Sequence, residues 1–127
     1  MDKVVHFEIP VDNFERAEKF YKKAFEWSIN RVPEVNYTLV TTSPVDGKMM
    51  HIEKGAINGG MLQRKAPITN PVITINVKNI DDSIKKIEKI GGKIVMAKFK
   101  VGYMGLSAYF KDTEGNVLGL WQGLKEQ

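Results

Sequence analysis

An internal repeat is the feature that most constrains how this chain folds. The stretch VITINVKNIDDSIKKIEKI lies over HFEIPVDNFERAEKFYKKA without a gap, and this alignment places Val77 on Val11 and Asn79 on Asn13. A repeat of this kind indicates that each copy is one supersecondary unit. We therefore expect two copies of a single unit in the chain.

The first copy opens with a strand of alternating character. Phe7, Ile9 and Val11 point to one face, while His6 and Glu8 point to the other. Apolar residues at helical spacing then predict a helix from about Phe14 to Glu26, and Asp12 with Glu15 resembles a capping box at its start. Three further strands are predicted over the stretches YTLVTT, GKMMHIEKG and INGGMLQR.

The second copy repeats the order of elements. Strands are predicted over GGKIVMAKF, YMGLSAYFKD and GNVLGLWQG, and laying GAINGGM on GNVLGLW places Gly59 on Gly119. The sequence thus predicts an α+β fold of two tandem βαβββ units, about 1–66 and 67–127, in a single domain. Since each helix covers the apolar face of its sheet, the opposite face must meet solvent, pack on something or enclose something.

Composition excludes several classes of protein. The net charge of +4 comes from lysines interleaved with Glu and Asp on the two helices, which is typical of solvated faces and does not favour nucleic-acid binding. No apolar run is long enough to span a membrane, and no signal peptide is evident, so we expect a cytoplasmic protein. The absence of cysteine excludes disulfides, thiolate metal sites and cysteine nucleophiles.

Four stretches together resemble the vicinal oxygen chelate superfamily, which includes glyoxalase I, extradiol dioxygenases and bleomycin-resistance proteins. They are HFEIPVDNFERAEKFYKKAFEW, INGG, VKNIDDSIKKIEKIGGKIV and SAYFKDTEGNVLGLWQ, and the resemblance covers essentially the whole chain. It implies that the paired units form a cup-shaped mixed sheet with the helices on its outer face. It also implies a divalent metal held inside the cup by the first and last strands of each unit.

The residues at those four metal positions do not suit a metal. His6 occupies the first, but its equivalents are Val72, Gly119 and Gly59, which have no donor side chain. Because catalytic sites usually need about three protein ligands, we expect no metal and no other cofactor. His51 and Glu53, two apart on a predicted strand, are alternative ligands, although an exposed strand edge explains them equally well.

Without a metal, the predicted cup becomes a mixed small-molecule pocket. Alternation along the strands assigns to its lining His6, Glu8, Thr74, Asn76, Ser107, Tyr109, Gly119 and Trp121. Tyr37, at the start of YTLVTT, is not assigned to a face.

Two functions from different classes remain open. The first is a binding protein that sequesters an amphipathic or aromatic ligand, as the resemblance to the bleomycin-resistance branch implies. The second is a lyase- or isomerase-type enzyme in which His6, with Glu8 nearby, is the general acid or base. A glyoxalase- or dioxygenase-like enzyme with non-standard metal ligands is a further alternative to the binding function. The resemblance also implies a homodimer.

Overall fold

The computed structural model describes residues 1–48 and 53–124. Within them, each half of the chain runs strand, helix, strand, strand, strand, which confirms the α+β class and the two βαβββ units. The elements of the first half are β1 (Lys3–Val11), α1 (Phe14–Phe25), β2 (Ser28–Val32), a 3-10 turn (Pro33–Val35), β3 (Tyr37–Thr41) and β4 (Asn58–Gln63). Those of the second half are β5 (Val72–Asn76), α2 (Ile80–Lys89), β6 (Lys93–Val101), β7 (Gly105–Lys111) and β8 (Val117–Gly123).

The chain divides into two compact units with the same strand order. The first unit is His6–Pro71, and the second consists of the residues from Val72 onward together with Met1–Val5. In the first, β4 runs parallel to β1 and antiparallel to β3, which pairs in turn with β2. In the second, β8 runs parallel to β5 and antiparallel to β7, which pairs with β6. The shared order supports the repeat that the sequence predicts.

The core of the first unit lies between its sheet and α1. Val11, Phe14, Val40 and Met61 are buried there. Phe7 and Ile9 pack against this cluster, so the predicted apolar face of β1 is the face that the helix covers. We call the opposite sheet face, which carries His6 and Glu8, the distal face of the first unit.

The second unit has its own core against α2. The buried residues are Val77, Ile80, Ala108, Phe110 and Leu120. The sheet face opposite α2 is the distal face of the second unit, and by the alternation of the strands it carries Thr74, Ser107, Tyr109, Gly119 and Trp121.

Matched asparagines begin the two helices. The side chain of Asn13 accepts a hydrogen bond from the Arg16 amide at 2.9 Å, and that of Asn79 accepts one from the Asp82 amide at 3.0 Å. The predicted Asp12 capping box is therefore wrong by one residue. The repeat contains the correct cap, because it aligns Asn79 with Asn13.

Two further predictions about the first half differ from the structure. Ser28–Val32 forms β2, which the strand patterns did not predict. The predicted strand GKMMHIEKG is not seen at its described ends, where residues 47–48 and 53–55 lie in turns and a bend, and residues 49–52 lie outside the described part. Three of the five side chains of β2 are polar, so its apolar alternation is weak.

No helix in the described ranges 1–48 and 53–124 combines the length and the apolar character that crossing a membrane requires.

Candidate functional site

A hydrogen-bonded cluster of His6, Tyr37 and Glu8 lies on the distal face of the first unit. The Tyr37 hydroxyl donates to Glu8 Oε2 at 2.8 Å, and His6 Nε2 lies 2.9 Å from the same hydroxyl oxygen. His6 and Glu8 are two residues apart on β1, so their side chains share a face. The tyrosine thus links a histidine and a carboxylate that the sequence had already paired.

Gly60 makes this link possible. Strand β4 lies between β1 and β3, and Gly60 is paired with Glu8 on one side and with Leu39 on the other. To reach β1, the Tyr37 ring crosses over Gly60, and a Cβ atom at that position would overlap the end of the ring. A residue with any side chain at position 60 would therefore block the cluster.

Burial sets the electrostatics of the cluster. Glu8 is only 7% exposed, and His6 is partly buried. Loss of solvation lowers the pKa of His6 below its usual 6.5, and the nearby Glu8 carboxylate offsets part of this effect. His6 is therefore predominantly neutral at pH 7.

Leu39 and Asn58 lie beside the cluster on the same face. Leu39, opposite Gly60 in the register, is 45% exposed. Asn58 is paired with His6, and its side-chain oxygen accepts hydrogen bonds from the amides of Thr42 at 2.8 Å and Ser43 at 3.0 Å. A few fixed polar groups beside exposed apolar surface are typical of small-molecule sites.

The remaining predicted site residues share the distal face of the second unit. The register places Thr74, Gly119 and Tyr109 side by side across β5, β8 and β7. The next row consists of Asn76, Trp121 and Ser107. Within each unit, the structure therefore brings together the residues that strand alternation predicted to share a face.

Much of this second surface is closely packed. Thr74, Ser107 and Tyr109 are buried, whereas Asn76 is exposed and Trp121 is partly buried. The Tyr109 ring stacks on Phe99 of β6 with their centroids 6.4 Å apart. The Trp121 indole lies over Gly105, where a Cβ atom would come within 2.7 Å of the ring.

Gly60, rather than Gly59, is the structural counterpart of Gly119. Gly119 is paired with Thr74, and Gly60 is paired with Glu8, which the repeat aligns with Thr74. Gly59 instead faces the core, where its Cβ would lie 2.7 Å from the Phe7 ring. The predicted position was one residue off because two adjacent glycines fit the same pattern.

The side chains at the four implied metal positions do not fit a divalent metal. His6 alone carries a donor, because Val72 and the glycines at 119 and 60 carry none. In the described residues, no three His, Cys, Asp or Glu side chains are grouped to hold an ion. His51 lies outside the described residues, and Glu53 lies in a bend, so the alternative pair stays untested. The expectation of a metal-free site remains a prediction.

Tyr37 and Gly60 are the site residues that the sequence did not identify. Tyr37 lies 31 positions from His6 in the chain, and only the pairing of β3, β4 and β1 brings them together. The two adjacent glycines of INGG were a signal, since a glycine inside a strand often marks a close approach by another group.

Residues 3–43 match a family model described as bleomycin resistance protein-like N-terminal. No curated protein matches the chain significantly. Among solved structures, the chain is similar to a hypothetical protein from Bacillus halodurans, at 14% identity and a TM-score of 0.66 over 99% of this chain and 97% of that one. A glyoxalase/bleomycin resistance protein/dioxygenase superfamily member from Vibrio splendidus is 13% identical, with a TM-score of 0.63 over 98% and 100% of the two chains.

Methylmalonyl-CoA epimerase from Mycobacterium tuberculosis is a third similar structure, at 12% identity and a TM-score of 0.61 over 96% of this chain and 88% of that one. At these identities the structures establish the fold. Together with the family match, they confirm the resemblance to the glyoxalase and bleomycin-resistance superfamily that the sequence indicated.

Proposed function

We propose that this protein binds a small amphipathic molecule on the distal face of the first unit without a metal ion. The observation that carries the proposal is the His6–Tyr37–Glu8 cluster, in which two hydrogen bonds of 2.9 and 2.8 Å fix polar groups beside the exposed Leu39. Fixed polar groups orient a ligand, and the adjacent apolar surface supplies most of the binding free energy.

The second unit offers a further ligand surface in this proposal. The partly buried Trp121 supplies aromatic surface and the exposed Asn76 supplies an amide group, whereas Tyr109, Ser107 and Thr74 on the same face are buried. Gly119 gives space to Thr74 itself, since a Cβ atom at position 119 would lie 2.8 Å from Thr74 Oγ1. We propose that Trp121 and Asn76 contact the ligand through their own sheet face.

A fragment screen followed by protein-observed NMR tests the binding proposal. We expect fragments that combine an aromatic ring with a polar group to shift the resonances of His6, Leu39 and Gly60. His6→Ala should weaken such fragments at least about tenfold, the cost of losing one hydrogen bond of about 1.4 kcal/mol. Fragments that bind equally well to His6→Ala would count against the proposed site.

A proton-transfer enzyme is the second candidate, and one observation favours it. His6 is held neutral by burial next to a carboxylate, and a neutral imidazole can accept a proton from a carbon acid. Epimerases among the similar structures suggest a probe: exchange of the α-proton of methylmalonyl-CoA in D₂O, followed by ¹H NMR. Exchange faster than in buffer, lost in His6→Ala, would favour this candidate over pure binding.

Assembly as a homodimer is also part of the proposal, because the resemblance implies it. Light scattering coupled to gel filtration should give twice the mass of one chain. A mass equal to that of one chain at micromolar concentration would contradict it.

A further inference from the structure

We infer that Tyr37 fixes the tautomer of His6 and thereby makes the site selective for ligands that donate a hydrogen bond. The ligand selectivity rests on the proposed binding function. The tautomer is a property of the ligand-free protein and can be tested without any ligand.

The proton count in the cluster leads to this inference. A tyrosine hydroxyl has a single proton, and that of Tyr37 is donated to Glu8 Oε2 at 2.8 Å. Towards His6 Nε2, 2.9 Å away, the same oxygen can therefore act only as an acceptor. The proton of the neutral imidazole must then be on Nε2, which leaves a lone pair on Nδ1.

The lone pair on Nδ1 determines what a ligand must offer. In the described residues, no hydrogen bond to Nδ1 is formed, so this atom is the acceptor that the cluster presents. A hydroxyl or N–H group of a ligand can donate to it. A carboxylate has no proton to donate, and it would approach the negative charge of Glu8, so binding of a carboxylate is disfavoured.

The packing of the Tyr37 ring supports a fixed arrangement. Strand pairing holds Tyr37 opposite Leu62 and Gly60 opposite Glu8, and the ring lies over the glycine. A phenylalanine at position 37 could occupy the same place over Gly60 without the hydroxyl. Tyr37→Phe is therefore the variant that removes the bridge and keeps the ring.

Long-range ¹H–¹⁵N NMR spectra of the His6 ring test the tautomer. His51→Gln removes the only other histidine, so in that background the ring signals belong to His6. At pH 8 we expect the Nε2–H tautomer in the parent and a mixture of tautomers in Tyr37→Phe. Tyr103→Phe, at a position that is 96% exposed, is the matched control and should leave the spectrum unchanged. A parent in the Nδ1–H form, or no change in Tyr37→Phe, would overturn the inference.

Phenol and benzoate test the selectivity, since they share a ring and differ in whether they donate or accept. Phenol should shift the Nδ1 resonance of His6 and bind at least about tenfold more tightly than benzoate. Equal or tighter binding of benzoate, or no binding of phenol, would overturn the selectivity. Failure of the proposed function would look different: no fragment of any kind would perturb the distal face, while the tautomer result would stand.

Discussion

The aromatic ring of Tyr37 lies directly over Gly60, in the space that a side chain at position 60 would otherwise fill. The ring crosses β4 at this point and ends between His6 and Glu8 on β1. One backbone position without a side chain thus determines whether three polar groups from two strands can meet.

Gly60→Ala should displace Tyr37 and break the cluster. The added methyl group overlaps the ring, so we expect a loss of about 1–3 kcal/mol in the free energy of unfolding, measured by urea denaturation. Gly47→Ala is the matched control, because a Cβ atom there meets nothing within 4 Å. A Gly60→Ala variant as stable as the control, with unchanged His6 resonances, would argue against the described arrangement.

The lowered pKa of His6 makes a prediction about pH. Burial places the folded-state pKa below the usual 6.5, so between these two values the unfolded chain binds more protons than the folded chain. The free energy of unfolding should therefore fall as the pH is lowered through 6.5. Denaturant curves between pH 8 and pH 5 measure how the free energy of unfolding changes with pH. His6→Gln should reduce this change, whereas the control His51→Gln should keep the contribution of His6. A slope of opposite sign would contradict the buried neutral imidazole.

A second polar cluster, on the helix side of the first unit, is predicted to be structural. Glu18 accepts two hydrogen bonds from Arg31, at 2.6 and 3.0 Å, and one from the fully buried Thr38. The hydrogen bond from Arg31 is the main cause of the lowered pKa of Glu18. The ionised Glu18 therefore stabilises the folded state above pH 4.5, and this contribution to the free energy of unfolding is lost as the pH falls through the lowered pKa.

Glu18→Gln should lower the free energy of unfolding at pH 7 by about 1–2 kcal/mol, because the buried Thr38 hydroxyl and the Arg31 guanidinium lose a charged acceptor. Glu88→Gln, on the exposed side of α2, is the control and should change stability by less than about 0.5 kcal/mol. The measurement is urea denaturation at pH 7, and equal effects of the two substitutions would refute the role of Glu18.

Much of the fold could be predicted from the sequence because its strongest signals are local. The alternation in β1, the helical spacing in α2 and the repeat that joins them are all read from neighbouring residues. The prediction missed β2, which has little apolar alternation. Helical spacing also placed Phe20 and Phe25 on the apolar side of α1, but they are 60% and 57% exposed.

The candidate site was only half predictable for a related reason. His6 and Glu8 share one strand, so alternation alone pairs them. Tyr37 joins them through a register between β3, β4 and β1 that depends on packing across the sheet, and no local pattern specifies it. Because Gly59 and Gly60 are adjacent and identical, the sequence alone does not show which of them corresponds to Gly119. This explains the one-residue error in the repeat.

The metal-free proposal predicts the composition of the purified protein. Protein purified without chelator should contain well below one equivalent of divalent metal by elemental analysis, since His6 is the single donor at the four implied positions. Addition of EDTA should leave Tm unchanged, because there is no bound ion to remove. An ion that binds the folded protein tightly raises Tm, so its removal by EDTA would lower Tm. A stoichiometric metal whose removal lowers Tm would show that other residues complete a metal site.

The most direct test of the account is where a bound fragment lies. A depression of about 510 Å³ on the outer side of α1, lined by Asn13, Glu15, Arg16, Lys19, Phe20 and Lys23, is a competing location in the same unit. Amide and side-chain NMR shifts on titration with the best fragment distinguish the two. We predict shifts at His6, Leu39 and Gly60 that weaken at least about tenfold in His6→Ala. Shifts confined to α1 and unchanged in His6→Ala would contradict the account.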